Sequence, residues 1–307
     1  MNDLDLFVSL LKINEPVDSL ENGQPVTFNE YTNTVGKRAI FLKDVQQTDI
    51  LNEDIGTKNF TATYVNDAEA ARIVNETGRV SFFYVHGWGV QISHVVDHGR
   101  TLKDKFRERE LYYSIPVLHP ITNIEVTPEA WEEYKNDQQD MVQAGDLFRN
   151  LNMDDFPPKK AIMMHSMGNH LIVSSFQQEF STEFQNIFMV AADVPHDIFS
   201  GNPGNNDEYG GYETKTSNMV DALNDNGMII ITSHERDRAL ELTGTDINFN
   251  NGIERIGLNG PNCISREKVM FINVSERYEA DNGRNHGYHL EQFMIDIYEE
   301  AVPTIHP

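Results

Sequence analysis

The sequence predicts an α/β fold in which a mostly parallel central sheet carries helices on both faces. From about residue 80 onward, short apolar runs rich in β-branched or aromatic residues alternate with helical patterns. A serine, an acid and a histidine each follow one of these runs, in that order along the chain. The 307 residues, 39% of them hydrophobic, suffice for one large domain with a buried core.

The chain divides into two predicted regions. Residues 1–78 are expected to form an N-terminal extension, which holds either the first strands of the sheet or a small β subregion; the runs 39–42 and 60–65 read as strands in it. Residues 79–307 are expected to form the main domain. Within that domain, a Gly- and Asn-rich stretch predicts a short lid or loop around 199–225.

Strands and helices alternate through the main domain. The segment 127–151 predicts a helix, because a threonine that can cap it is followed by proline and glutamate in the first turn. A second helix is predicted at 169–180, and a third near the end has one apolar face: Leu290, Phe293, Met294, Ile297 and Tyr298. Strands are predicted at 81–86, 111–118, 160–165, 187–193, 228–233 and 269–275.

The stretch 161–169 has the layout of a nucleophile elbow. A short apolar run leads directly into Ser166, and Gly168 follows two residues later. In such an elbow a strained turn exposes the serine hydroxyl, and small residues two before and two after the serine let the backbone pass close to its neighbours. Gly168 meets that need, whereas Met164 does not. We interpret Ser166 as a nucleophile; the alternative is a helix-capping serine.

A second motif lies 80 residues before the serine (86 to 166). The run 81–86 reads as a buried strand that leads into His86-Gly87-Trp88. In hydrolases with a serine elbow, the loop after an early strand and the residue after the nucleophile each donate a backbone N–H to the oxyanion. These donors are the amides of Trp88 and Met167, unless the segment is an ordinary strand-to-helix turn.

Three carboxylates compete for the role of orienting the base. Asp237 follows the penultimate predicted strand, which is the usual position of that acid, and we favour it. Glu235 lies two residues earlier, and Asp193 ends the preceding predicted strand. Asp237 is also well placed to be a helix N-cap.

His286 is interpreted as the general base, and His289 is its rival. His286 lies in a polar loop after the last predicted strand, and loops carry most catalytic groups, whereas His289 falls within the first helical turn. The chain order serine, acid, histidine differs from that of chymotrypsin and subtilisin. His165 and His170, which flank the elbow, are interpreted as local hydrogen-bonding or packing residues.

Together these motifs resemble the bacterial α/β-hydrolase family that is known only as a domain of unknown function. The resemblance covers about residues 80–300, and it departs at Trp88, where the family usually has Tyr, and at Met164, where it usually has Ala. It implies an α/β-hydrolase fold and a serine–histidine–acid triad, but no substrate. The segments that carry it are His86 to Trp88, His165 to Asn169, Asp193 to Phe199, Ser233 to Leu240 and His286 to Tyr288.

The interpreted function is a serine hydrolase that cleaves an ester or related acyl bond of a small molecule through Ser166, His286 and Asp237. An acyltransferase would use the same triad, and a non-catalytic binding protein can share the fold. No cofactor is expected. His94 and His98 have a metal-capable i, i+4 spacing, but no third ligand is evident and no metal site is predicted.

The net charge of −24, from 24 basic and 48 acidic residues, excludes nucleic acid and anionic membrane surfaces as expected partners, because both would be repelled. The N-terminus lacks the features of a signal peptide, and no apolar run approaches the roughly 20 residues of a membrane helix. The single cysteine, Cys263, excludes an internal disulfide. We therefore expect a cytoplasmic protein. The sequence does not indicate its oligomeric state.

Overall fold

The computed structural model describes residues 5–29, 34–52, 57–107, 110–120, 130–180, 182–199, 212–245, 254–261, 267–280 and 285–301. Its strands are β1 (Leu6–Leu11), β2 (Pro25–Asn29), β3 (Val35–Asn52), β4 (Thr57–Val65), β5 (Val80–Val85), β6 (Tyr112–Leu118), β7 (Lys160–His165), β8 (Phe184–Val190), β9 (Leu223–Ser233) and β10 (Val269–Asn273). Its helices are α1 (Asp67–Thr77), α2 (Ile92–Arg107), α3 (Trp131–Arg149), α4 (Gly168–Ser175), α5 (Tyr212–Asp221), α6 (Arg238–Thr245), α7 (Ile256–Asn259) and α8 (Gln292–Glu300).

The described strands form one sheet of ten, in the order β10-β9-β8-β7-β5-β6-β1-β3-β4-β2. Each neighbouring pair from β10 to β1 is parallel, whereas β3 pairs with β1 and β4, and β4 with β2, in the antiparallel sense. Because the parallel strands share one direction, their carboxyl ends meet at a single edge of the sheet, where α/β folds build their ligand sites.

Alternation along the central strands directs side chains to both faces. In β5, Phe82 packs in one apolar cluster with residues of α2 and α8, whereas Phe83 packs in the other cluster with residues of α3 and α4. The sheet is therefore covered by helices on both faces, and the predicted fold class is confirmed. No helix in the described ranges is long and apolar enough to cross a membrane.

The six predicted strands of the main domain correspond to β5 through β10, and the largest shifts are in both bounds of β8 and at the start of β9. Strand β8 covers 184–190 and not 187–193, because the chain turns at Ala191, whose φ is +45°. Strand β9 begins at Leu223, five residues before the predicted start at 228. Gly227 lets this early part of β9 lie against β8, since any larger residue there would place its Cβ 2.6 Å from the carbonyl oxygen of Gln185.

Helix bounds differ more than strand bounds. The helix predicted at 169–180 is α4, which ends at Ser175, and the helix predicted at 127–151 is α3, whose proposed start at 127–129 lies outside the described residues. The last helix is preceded by a 3-10 turn, Tyr288–Leu290. Of the proposed lid, 200–211 lies outside the described residues, 212–221 is α5, and 223–225 already belongs to β9.

Candidate active site

Ser166 sits in a strained turn between β7 and α4. Its φ is +53°, in the left-handed region that a serine rarely adopts. The surrounding hydrogen bonds hold this conformation: the Ser166 N–H donates to the carbonyl of Val190 at 3.0 Å, and the Ser166 carbonyl accepts from the Asn169 N–H at 3.1 Å and from its side-chain Nδ2 at 2.9 Å. The strand, tight turn and helix around Ser166 have the layout of a nucleophile elbow.

Two glycines provide the close approaches that the elbow requires. A Cβ on Gly87 would lie 2.8 Å from Cβ of Ser166, and a Cβ on Gly168 would lie 2.5 Å from the carbonyl oxygen of His86. Met164, by contrast, is fully buried in the core and pairs with Val85 and Met189 in the sheet. The positive-φ turn therefore forms with methionine at position 164.

Asp237 and His286 are in direct contact at the same edge of the sheet. His286 Nδ1 lies 2.7 Å from Asp237 Oδ2, and the Asp237 side chain is fully buried. The other carboxylate oxygen, Oδ1, accepts the N–H groups of Ala239 at 3.1 Å and Leu240 at 3.2 Å in the first turn of α6. One oxygen of Asp237 therefore caps α6 while the other contacts His286, so the helix-cap and base-orienting interpretations do not exclude each other.

The environment of His286 favours its charged form. Burial on its own lowers the pKa of His286, but the charge of Asp237, the hydrogen bond to it and the nearby charge of Asp193 act in the opposite direction and prevail. The pKa of His286 is thus raised above its ordinary value. An imidazole in this state is neutral only above that raised pKa, and its cation is stabilised by a fixed negative charge.

The other candidate acids have different partners. Glu235 accepts a hydrogen bond from Asn273 Nδ2 at 2.7 Å on the surface. Asp193 is buried, where it pairs with the guanidinium of Arg255 (Nε to Oδ1, 3.1 Å) and accepts the hydroxyls of Tyr134 and of Thr243, the latter at 2.9 Å. The backbone N–H of Asp193 donates to the Ser166 carbonyl at 3.3 Å, so this residue supports the elbow.

The rival base, His289, lies in the 3-10 turn beyond the site. Its Nε2 is 3.3 Å from the hydroxyl of Tyr84, which in turn is 3.0 Å from Nδ1 of His98. Burial, together with the charges of neighbouring histidines, holds the pKa of His289 well below its ordinary value. A buried imidazole of this kind stays neutral at neutral pH.

Trp88 and Met167 flank Ser166 on two different loops. The indole Nε1–H of Trp88 donates to Asp137 Oδ2 at 2.5 Å, and the ring of Tyr134 packs edge-on against the indole at 5.3 Å between centroids. Met167 is buried and immediately precedes α4. Both side chains are therefore held in place by their protein contacts.

The histidine at the start of the Trp88 loop is also buried. His86 stacks on His119 at 3.7 Å between ring centroids, and its Nδ1 lies 2.9 Å from the carbonyl oxygen of Gly87. Burial lowers the pKa of His119 to about 4, and burial with the neighbouring charge of His119 holds the pKa of His86 well below its ordinary value. This neutral pair packs beneath the loop.

Sequence reasoning missed the polar residues that support the site from α3. Tyr134, Asp137 and Gln138 are buried at i, i+3 and i+4 spacing, and Gln138 Nε2 lies 3.2 Å from Nε2 of His170. A polar stripe on the core-facing side of a helix was the available signal, since buried polar groups need partners. Arg255 had no comparable signal, because its partner Asp193 is 62 residues away (193 to 255).

Comparison with known protein families agrees with the fold. Residues 68–300 match a protein family described as an alpha/beta hydrolase of unknown function (DUF900). A search of curated proteins finds no match. Among solved structures, the chain is similar to Est816, described as an N-acyl homoserine lactone degrading enzyme, with a TM-score of 0.30 and 11% identity over 72% of this chain and 92% of that one.

The family match covers well over half of the chain, including the elbow serine, the buried aspartate and the histidine that contacts it. It confirms the resemblance seen in the sequence motifs. The chain belongs to this family of α/β hydrolases of unknown function.

Proposed function

We propose that this protein is a serine hydrolase that cleaves an ester or a related acyl bond through an acyl-enzyme on Ser166. The observation that carries the proposal is the 2.7 Å contact between His286 Nδ1 and Asp237 Oδ2, made at the sheet edge where Ser166 occupies its positive-φ turn. A serine in a strained elbow, accompanied by a histidine that a buried carboxylate orients, is suited to nucleophilic attack on a carbonyl.

The proposed chemistry assigns each nitrogen of His286 a task. Nδ1–H donates to Asp237, so Nε2 is the nitrogen that takes the proton from the Ser166 hydroxyl. The buried carboxylate stabilises the imidazolium that forms, and His286 then returns the proton to the leaving group. Water, activated by the same base, hydrolyses the acyl-enzyme and restores the serine.

The amides of Trp88 and Met167 are the proposed oxyanion donors. Among the described residues, neither N–H donates a hydrogen bond to another protein group. Helix α4 begins directly after Met167, so its positive end faces the developing negative charge. One such donor stabilises the transition state by roughly 3 kcal/mol in other hydrolases.

Labelling with a fluorophosphonate probe tests the proposal, with the modified peptide mapped by mass spectrometry. We expect the wild-type protein to be labelled at Ser166 and to hydrolyse p-nitrophenyl acyl esters. Ser166→Ala should abolish both while leaving the circular dichroism spectrum unchanged. The matched control is Ser174→Ala, another buried serine on α4, which should react like wild type.

Full ester hydrolysis by Ser166→Ala, or labelling at a different residue, would contradict the proposal. Product analysis in the presence of an added alcohol separates hydrolysis from acyl transfer. Transfer to the alcohol in preference to water would identify an acyltransferase that uses the same three residues.

A further inference from the structure

His165 connects the strand that carries the nucleophile to the loop that carries the base. It is the last residue of β7, directly before Ser166, and its ring is buried. His165 Nε2 lies 2.9 Å from the backbone carbonyl oxygen of His286. A carbonyl oxygen only accepts, so Nε2 carries the proton and donates it.

The ring of His165 is held on three sides. It stacks on His289 at 4.0 Å between ring centroids and tilts against the ring of His286 at 4.7 Å. The backbone of Gly87 closes the third side, since a Cβ there would lie 3.1 Å from His165 Nδ1. The donor therefore has a fixed direction.

A column of side chains supports this arrangement from behind. His289 contacts the hydroxyl of Tyr84 on β5, and that hydroxyl contacts the half-buried His98 on α2. His165 and His289 are in contact through ring stacking and not through a hydrogen bond. The column therefore does not form a continuous path for protons. Its effect is to keep the ring of His165 in place.

The charge state of His165 fits a donor of this kind. Burial, with the neighbouring charge of His286, holds the pKa of His165 well below its ordinary value. Its Nδ1 is buried and has no hydrogen-bond partner among the described residues. The neutral tautomer with the proton on Nε2 satisfies the His286 carbonyl without placing a second positive charge beside the base.

We infer that His165 is a positioning residue that sets the backbone of His286, and hence its imidazole, relative to Ser166. The inference rests on the proposed function, because it assigns His165 a role in aligning that nucleophile with that base. Ser166 and His286 are 120 residues apart in the chain (166 to 286). His165 directly precedes Ser166, and its side chain donates a hydrogen bond to the backbone of His286. Misplacement of a catalytic group by about 1 Å can lower a rate about 100-fold.

Two substitutions of similar size separate positioning from packing. His165→Leu fills the space but removes the donor, whereas His165→Gln retains an N–H that reaches the same carbonyl. We expect His165→Leu to lower kcat for an acyl ester and the rate of fluorophosphonate labelling about 10- to 100-fold, with KM changed less than about threefold. His165→Gln should recover most of the lost rate.

Proton NMR supplies a readout that does not depend on activity. The His286 Nδ1 proton shared with Asp237 should resonate far downfield in wild type and in His165→Gln, and should shift or broaden in His165→Leu. If wild type fails to label, the proposed function fails, and this resonance still decides whether His165 sets the position of the His286 ring. If His165→Leu does not fold, His165→Met replaces it.

Either of two results would overturn the inference. One is a folded His165→Leu protein with wild-type kcat and an unmoved resonance. The other is equal loss of activity in the leucine and glutamine variants, because packing alone would then account for the residue.

Discussion

At the residue scale, Asp237 makes two separate sets of contacts with one carboxylate. Oδ1 accepts hydrogen bonds from two backbone N–H groups of α6, and Oδ2 accepts a hydrogen bond from Nδ1–H of His286. Sequence reasoning presented these functions as alternatives, because a capping aspartate and a triad aspartate occupy the same place after a strand. Only the positions of the two oxygens show that a single side chain can serve both.

Asparagine and alanine at position 237 should therefore have different effects. Asp237→Asn keeps an oxygen to cap α6 but turns its amide toward His286, which favours the wrong tautomer of the base. We expect a loss of up to about 10⁴-fold in kcat with little change in stability, by analogy with serine proteases. Asp237→Ala should lose a further 0.5–2 kcal/mol or so of unfolding free energy.

Measurement of kcat and of urea unfolding for both variants and the wild-type protein checks this prediction. Equal stability of the asparagine and alanine variants would show that the cap contributes nothing. Retention of wild-type kcat by Asp237→Asn would remove Asp237 from the proposed triad.

At the scale of elements, the elbow depends on the approach of α4 to the end of β5. A Cβ at position 168 would lie 2.5 Å from the carbonyl oxygen of His86 and 3.0 Å from the side chain of Val85. Backbone cannot yield locally as a flexible side chain can, so relief requires the helix to move away from the strand.

Gly168→Ala should thus cost roughly 1–3 kcal/mol of unfolding free energy and most of the activity. Gly287→Ala is the control, since a Cβ there meets nothing within 4 Å and the φ of −89° suits alanine. Thermal unfolding of both variants, with labelling of Ser166, measures the difference. A Gly168→Ala protein as stable and reactive as the control would contradict the role given to this contact.

Elements with a strong period were predictable, and so was the contact between Asp237 and His286, whereas the other contacts between distant segments were not. The six strands of the main domain follow from their apolar runs, and Ser166, Asp237 and His286 follow from their places after strands. The hydrogen bond from His165 to the His286 carbonyl, and the pairing of Asp193 with Arg255, depend on three-dimensional distances that no local pattern encodes. Helix ends were imprecise because propensity changes little across them.

At the scale of the whole molecule, several histidines are buried in neutral form. Burial lowers the pKa of His119 and His170 to about 4 and holds the pKa of His86, His165 and His289 well below the ordinary value of 6.5. Each of these groups takes up a proton on unfolding once the pH falls below 6.5. The contribution of His286 to the unfolding free energy has the opposite sign, because its pKa is raised in the folded protein. That contribution is fully present below pH 6.5 and is lost as the pH rises through the pKa of the folded state.

The unfolding free energy should consequently fall steeply between pH 6.5 and about pH 4. Each of the five histidines named above adds a slope of up to about 1.4 kcal/mol per pH unit in that window. Urea unfolding at a series of pH values measures the slope. His170→Gln should remove the contribution of that one histidine from the slope. A slope near zero in the wild-type protein would contradict the prediction.

The double use of Asp237 makes the amide protons of Ala239 and Leu240 reporters on the reaction centre. Solvent exchange at these two amides requires their bonds to Oδ1 to open, and the same carboxylate holds His286 through Oδ2. We therefore expect fraying of the first turn of α6 to be coupled to loosening of the contact between Asp237 and His286. An exchange experiment on two backbone sites would follow that motion without any substrate.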